Sequence, residues 1–88
     1  MSYRVKKYQE TPNPNALKCI LDRSAGGSMR SFLNAAAAAG DPLGSAIFNL
    51  KGVTNVLING DWITVSKSPD AAWREIKPGL ERVLAEAV

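Results

Sequence analysis

Hydrophobic and polar residues alternate over several short stretches of the chain, and this pattern predicts β-strands. The first stretch, residues 3–10, breaks its alternation at Lys7, which favours a strand at the edge of a sheet. The second stretch, residues 16–22, alternates cleanly. Its apolar side carries three residues, Leu17, Cys19 and Leu21.

Residues 53–67 give the strongest local signal, because two β-branched runs flank Asn59-Gly60. This dipeptide is typical of a tight hairpin turn, since both residues tolerate a positive φ. The pattern leaves open a two-residue turn and a three-residue turn that includes Asp61. The choice decides which face of the sheet Trp62 joins, because a shift of one residue exchanges the faces.

Helical patterns occupy the middle of the chain. Asn34 is placed to cap the alanine run 35–39, because its side-chain oxygen can accept from the first free backbone N–H groups. Asp41-Pro42 predicts the start of a second helix, with Asp as the cap and Pro at the first helical position. An apolar stripe at helical spacing then runs through residues 43–50.

A longer helix is predicted at the end of the chain. Ser68-Pro69-Asp70 is interpreted as its cap, and an apolar stripe keeps helical period over residues 73–87. Pro78 interrupts this helix, but the stripe stays in phase across the break. We therefore predict one kinked helix rather than two.

The order of these elements, β-β-α-β-β-α, predicts an α+β fold. Helices that follow hairpins favour an antiparallel sheet. We expect a two-layer sandwich, with an antiparallel four-stranded sheet covered on one face by two helices, in one domain over residues 1–88. Residues 29–33 add either a short strand or an extended lead-in to the first helix. The other face of the sheet would be open to solvent or to a partner.

The composition is that of a globular protein, with 45% hydrophobic and 22% charged residues among 88. No apolar run approaches the about 20 residues that cross a bilayer, so no membrane partner is expected. The N-terminal residues lack the apolar centre of a signal peptide. From these missing signals we predict a cytoplasmic protein.

The chain has one cysteine, Cys19, and no histidine. This excludes an internal disulfide and the Ser-His-Asp and Cys-His nucleophile arrangements. Structural zinc and iron–sulfur clusters typically need about four Cys or His ligands. We therefore predict a protein that is not an enzyme. Cys19 is a weak metal candidate, since its strand position favours a buried thiol that packs as a small hydrophobe.

The net charge of +3 comes from eleven basic and eight acidic residues. Arg4, Lys6 and Lys7 crowd the N-terminus, while the other basic residues are dispersed. A nucleic-acid reader usually has a denser basic patch or interleaved aromatic residues. The pattern favours a solvated basic surface, and nucleic acid is not an expected partner.

Several motifs together resemble one known family. TPNPNALK at residues 11–18 is followed by GDPLGSAIFNLKGV at 40–53, DWITVSK at 61–67 and AAWREIKPGL at 71–80. In this order they resemble the N-terminal domain of Nfu/NifU-type iron–sulfur cluster scaffold proteins, over roughly residues 3–85. Gly44 stands where family members commonly have alanine.

The resemblance implies a role in iron–sulfur cluster assembly. In full-length members this domain precedes a second domain whose C-x-x-C motif holds the cluster, and this sequence has no C-x-x-C. It therefore resembles a stand-alone form without the cluster domain. No cofactor is expected in the isolated domain, and iron or cluster binding is a weaker expectation.

The resulting hypothesis is a non-enzymatic accessory or adaptor module that binds an iron–sulfur scaffold or a recipient apoprotein. The loop at residues 11–18 and the uncovered sheet face are the expected contact regions, since a rigid loop lowers the ordering cost of binding and aromatic residues dominate binding hot spots. The candidate partner-binding residues are Pro12, Asn13, Pro14, Asn15, Lys18 and Trp62.

Two alternatives belong to other functional classes. In the first, two chains pool Cys19 with carboxylates such as Asp22 and carry iron or a cluster directly. This requires a thiol that solvent can reach. In the second and weaker alternative, a basic cluster binds nucleic acid with an affinity that falls steeply with salt. That cluster comprises Arg4, Lys6, Lys7 and Lys18.

Overall fold

The computed structural model describes residues 3–26 and 28–87. The ends of the predicted domain, residues 1 and 88, lie outside this part. The strands are β1 (Val5–Glu10), β2 (Ala16–Leu21), β3 (Arg30–Phe32), β4 (Val53–Asn59) and β5 (Trp62–Lys67). The helices are α1 (Ala35–Ala38), α2 (Pro42–Phe48) and α3 (Trp73–Glu86).

The sheet is antiparallel and five-stranded, in the order β1-β2-β5-β4-β3. The predicted α+β class and antiparallel pairing are confirmed, whereas the predicted four-stranded sheet is wrong. The additional strand is β3, which lies along β4 with Ser31 opposite Leu57. Three residues are too few to show a period of two in the sequence, so the strand is defined by its partner.

The hairpin between β4 and β5 turns at Gly60-Asp61, because Asn59 pairs with Trp62 across the ladder. The turn has two residues, but it begins at Gly60, one position later than in either of the predicted turns, which began at Asn59. Gly60 has a φ of +60°, and no non-glycine residue in the described part has a positive φ. This pattern is typical of a type II′ turn, which needs the unusual conformation only at its first central residue. As a result, Trp62 lies on the face opposite to Ile63.

The hydrophobic core lies between one face of the sheet and the helices. Ile47 of α2 and Leu80 and Leu84 of α3 are fully buried in the same cluster as the strand residues. α2 and α3 therefore cover a single face, as predicted, and leave the other uncovered. The four-residue α1 is a third helix, which the prediction of two helices did not count. The buried strand residues are Leu17, Cys19, Leu21, Val56, Ile58, Ile63 and Val65.

The predicted caps of the two middle helices are confirmed. The Asn34 side chain accepts from the backbone N–H of Ala37 at 2.7 Å. One carboxylate oxygen of Asp41 accepts from the N–H groups of Leu43 and Gly44, both at 3.0 Å. The other oxygen pairs with the Arg30 guanidinium, and this ion pair fastens α2 to the edge strand β3.

The start of the final helix differs from its prediction. α3 begins at Trp73 after Ala72, which makes no side-chain capping bond. Ser68 instead continues from β5, where its N–H donates to the carbonyl of Gly52 at 2.9 Å. α3 includes Pro78 and is one helix rather than two, as predicted. No helix within residues 3–26 and 28–87 is long and apolar enough to span a bilayer.

Candidate functional site

The predicted partner-binding residues lie on two different surfaces. Pro12, Asn13 and Pro14 line a groove between the β1–β2 connection and α3. Lys18 and Trp62 lie on the uncovered face of the sheet, since their neighbours in sequence, Leu17 and Ile63, point into the core. We call residues 11–15 the loop and the helix-free side of the sheet the uncovered face.

The loop is held by hydrogen bonds of its own. The Asn13 side-chain oxygen accepts from the N–H of Asn15 at 2.9 Å, which forms a local side-chain turn. The Thr11 hydroxyl donates to the carbonyl of Ala16 at 2.9 Å and accepts from the N–H of Asn13 at 3.2 Å. The Asn13 carbonyl accepts from the N–H of Ala16 at 3.0 Å. These bonds leave Pro12 and Pro14 exposed on a preorganised turn.

Two distant side chains, one from α3 and one from β5, fasten the loop to the rest of the fold. The Trp73 indole Nε1 donates to the carbonyl oxygen of Pro14 at 3.0 Å. The Lys67 ammonium donates to the Asn15 side-chain oxygen at 2.9 Å and lies 5.7 Å from the centroid of the Trp73 ring. Asn15 is thus occupied within the fold, whereas Asn13 presents its amide nitrogen at the surface.

The groove beside the loop has a volume of about 390 Å³. Besides the loop, its walls include Tyr8 of β1 and Trp73 and Lys77 of α3. The Lys77 ammonium lies 4.7 Å from the centroid of the Tyr8 ring. The Tyr8 hydroxyl donates to Glu81 at 2.7 Å, and burial together with this bond raises the pKa of Tyr8. The sequence pattern missed these residues, because strand and helix residues far apart in the chain meet here.

The uncovered face is built around a cation over an aromatic ring. The Lys18 ammonium lies 4.6 Å from the centroid of the Trp62 ring, within the range of a cation–π interaction. Ile20 lies directly opposite Trp62 on the neighbouring strand. The register also places Lys7 on this face, opposite Ile20. Trp62, Lys18 and Ile20 are all half-buried, although they lie on the uncovered face.

Cys19 faces the other way and is closed to solvent. Its exposed fraction is 0%, and burial raises its pKa to about 12. Asp22 is exposed, and its carboxylate accepts from the N–H of Arg4 at 3.0 Å. Among the described residues, no group of three or more Cys, His, Asp or Glu is placed to hold a metal ion. A metal site based on Cys19 would require β2 to leave the core.

The chain is similar to curated proteins described as iron–sulfur cluster scaffold homologs. It is 36% identical over 80 residues to the NFU1 iron-sulfur cluster scaffold homolog, mitochondrial, of Drosophila sechellia. The match covers 89% of this chain and 28% of that protein. The corresponding protein of Drosophila virilis is also 36% identical, over 89% of this chain and 27% of its own length. The chain thus spans little more than a quarter of these relatives.

Solved structures share the fold. The solution structure of a NifU-like protein from Saccharomyces cerevisiae matches with a TM-score of 0.79 and 26% identity, over 97% of this chain and 77% of that one. The crystal structure of protein SAV1430 from Staphylococcus aureus matches with a TM-score of 0.73 and 26% identity. That match covers 91% of this chain and 96% of the other.

The prediction of a cytoplasmic location is wrong, because the curated relatives are described as mitochondrial proteins. The prediction rested on signals missing from 88 residues, which span only 28% of such a relative. Missing signals in a segment of this size say nothing about the compartment.

Family membership rests on a match over nearly the whole chain. The family model described as "Scaffold protein Nfu/NifU N terminal" matches residues 5–88. The match includes every strand and helix, and both candidate surfaces. The expected resemblance is thereby confirmed, and the chain belongs to the Nfu/NifU N-terminal family of iron–sulfur cluster scaffold proteins.

Proposed function

We propose that this chain is a non-enzymatic accessory module of iron–sulfur cluster assembly that binds a cluster scaffold or a recipient apoprotein. The observation that carries this proposal is the pair Lys18 and Trp62 on the uncovered face of the sheet. A tryptophan in such a place, beneath a cation, is the kind of side chain that dominates protein–protein hot spots.

The uncovered face is ready to bind without reorganisation. Its side chains project from strands whose register is fixed by the core on the opposite side. Trp62 is already half-buried against its neighbours, so little rotamer freedom remains to be lost. Because ordering costs oppose association, a preorganised surface of this kind favours binding.

The loop supplies a second contact to the same partner. It leads directly into β2, which places Lys18 on the uncovered face. Pro12, Asn13 and Pro14 form an exposed rim at this end of the sheet. A partner seated on the uncovered face can therefore also contact the rim of the loop.

The family supports this class of partner. The match to this chain covers 28% of the length of a relative that is described as an iron–sulfur cluster scaffold homolog. A module of this size beside a cluster-carrying region is suited to hold that region or its recipient.

Affinity measurements test the proposal. The probes are the isolated cluster-carrying domain of an Nfu-type scaffold and a recipient apoprotein, titrated into this chain in calorimetry. We expect Trp62→Ala to weaken binding roughly tenfold or more. Lys51→Ala, at an exposed position in the turn before β4, is the matched control for Lys18→Ala. A wild-type chain that binds neither probe would overturn the function, and unchanged binding by Trp62→Ala and Lys18→Ala would overturn the assigned surface.

A further inference from the structure

Two large hydrophobic side chains stand exposed beside the edge strand β3. Met29 has 64% of its surface exposed and Leu33 has 72%. They lie two residues before and two residues after Ser31, which is exposed and pairs with Leu57 of β4. Met29 and Leu33 stand one residue beyond the two ends of β3, and continuing the alternation of the strand by one residue places both on the same side as Ser31. That side is the uncovered face.

The strand order joins these residues to Trp62. From β2 to β4, Ile20 lies opposite Trp62, and Trp62 is the diagonal neighbour of Leu57. Leu57 pairs with Ser31 of β3, and Met29 and Leu33 lie two residues to either side of Ser31. An apolar track therefore crosses the uncovered face over four strands, a distance of roughly 14 Å. The track consists of Ile20, Trp62, Leu57, Met29 and Leu33.

Charge is present at one end of this track. On the strands of the uncovered face, Lys7 and Lys18 lie at the β1–β2 end, beside Ile20 and Trp62. The β3 end is neutral, because the Arg30 guanidinium is paired with Asp41 on the helix side. Both lysines are positive and the whole chain carries +3, so a complementary surface is apolar with acidic residues at one end.

We propose that the apolar track seats an amphipathic, acidic helix of a partner protein, an inference that rests on the proposed adaptor function and names the chemistry of its partner. A track of roughly 14 Å matches about nine helical residues at a rise of about 1.5 Å, enough for anchors at positions i, i+4 and i+7. The seated helix completes a third layer on the sheet. Its acidic residues meet Lys7 and Lys18, and its apolar anchors reach Met29 and Leu33.

The probe is a synthetic helical peptide of about 15 residues with leucines at that spacing and glutamates beside them. Comparison peptides have the same composition in scrambled order, or lysine in place of glutamate. We expect the acidic helix to bind, and both comparison peptides to bind at least roughly tenfold more weakly. Binding should weaken as salt increases, because the charged contacts are at the surface.

Variants of the chain locate the peptide. Leu33→Ser and Lys18→Gln should each weaken binding severalfold, while the controls Ala85→Ser on the exposed side of α3 and Lys51→Gln should not. Equal binding of the scrambled peptide, or no effect of Leu33→Ser, would overturn the helix site. The helix site would also be overturned if the chain formed a dimer through this face and Leu33→Ser abolished the dimer. If the peptide fails while Trp62→Ala still abolishes scaffold binding, the proposed function survives and only this inference falls.

Discussion

The indole of Trp73 donates a hydrogen bond of 3.0 Å to the backbone carbonyl of Pro14, which lies 59 residues earlier in the chain. The bond joins the first residue of α3 to the exposed turn between β1 and β2. The shape of the loop is therefore set by the helix layer as well as by the local prolines. A loop held in this way is preorganised for contact with a partner.

Trp73→Phe tests this anchor, since it keeps an aromatic ring and removes the indole N–H. We expect a loss of about 1 kcal/mol in the free energy of unfolding, the usual net contribution of one hydrogen bond. Hydrogen exchange at the amides of Asn15 and Ala16 should become faster, because both amides bond within the loop. Urea unfolding and exchange NMR measure the two effects.

Trp62→Phe is the matched control, because Trp62 lies on the uncovered face and pairs with Ile20, at the far end of β2 from the loop. It should leave exchange at the Asn15 amide unchanged. Equal exchange rates in Trp73→Phe and the wild type would show that the loop is rigid without the helix.

Gly44 is required by the ring of Phe32. A Cβ placed on Gly44 would lie 2.7 Å from Phe32 Cε2 and 3.0 Å from its Cδ2. We expect Gly44→Ala to destabilise the fold by roughly 1–3 kcal/mol, less a gain of up to about 1 kcal/mol in helix propensity. In a Phe32→Leu background the same substitution should be close to neutral, and denaturant unfolding of all four chains gives the coupling energy.

Gly40→Ala provides the control for this cycle, because a Cβ there meets nothing within 4 Å. Its effect should stay within about 0.5 kcal/mol in either background. An additive result for Gly44→Ala and Phe32→Leu would contradict the packing account.

Asp41 combines a helix cap with an ion pair to Arg30, and two substitutions separate these roles. Asp41→Asn keeps an oxygen for the cap and loses the charge, so a loss of up to about 1 kcal/mol is expected. Asp41→Ala loses both and should cost about 2 kcal/mol. Urea unfolding measures both losses. Asn34→Ala is the comparison, because it removes a helix cap that has no ion pair. Equal losses for the two Asp41 variants would show that the cap bonds contribute nothing.

Stability should decline in alkaline solution. Burial raises the pKa of Cys19 from 9.0 to about 12, and the pKa of Tyr8 is raised above its usual 10.0. At a pH between the usual pKa and the raised pKa of each group, the unfolded chain has lost a proton that the folded chain keeps. The stabilisation is therefore fully present below pH 9 and is lost as the pH rises from about 9 towards 12. Urea unfolding at about pH 8 and about pH 10.5 measures the decline.

Cys19→Ala and Tyr8→Phe identify the groups responsible. Each variant should lose less stability than the wild type between the two pH values, whatever its stability at pH 8. A decline that is unchanged in both variants would assign the alkaline sensitivity to other groups.

Local chemistry explains which elements the sequence predicted. Asn34 and Asp41 cap helices through bonds to residues two or three positions away, so the pattern contains the whole interaction. Ser68 shows the limit of such reasoning. Its backbone is engaged by Gly52, which no pattern near Ser68 indicates, and the helix therefore begins later, at Trp73.

Only part of the candidate surfaces could be predicted from the sequence, because their geometry also depends on bonds between distant residues. Lys18 and Trp62 were both identified, but their contact depends on the pairing of β2 with β5 and on a turn that starts at Gly60. The position of β3 beside β4 brings Ser31, which lies midway between Met29 and Leu33, next to Leu57 on the uncovered face. These relationships depend on which strands pair in the folded protein, and local patterns along one sequence do not reveal that pairing.

The most direct test of the account is an anaerobic NMR titration that follows the backbone amide signals and the two tryptophan indole signals of labelled protein. Ferrous iron with sulfide is added first, and the cluster-loaded C-terminal domain of an Nfu-type scaffold follows. The account predicts no change with iron, then shifts at Trp62, Lys18 and the loop with the protein partner, while signals from the outer side of α3 stay in place. Broadening around Cys19 with iron alone, or partner shifts confined to α3, would contradict it.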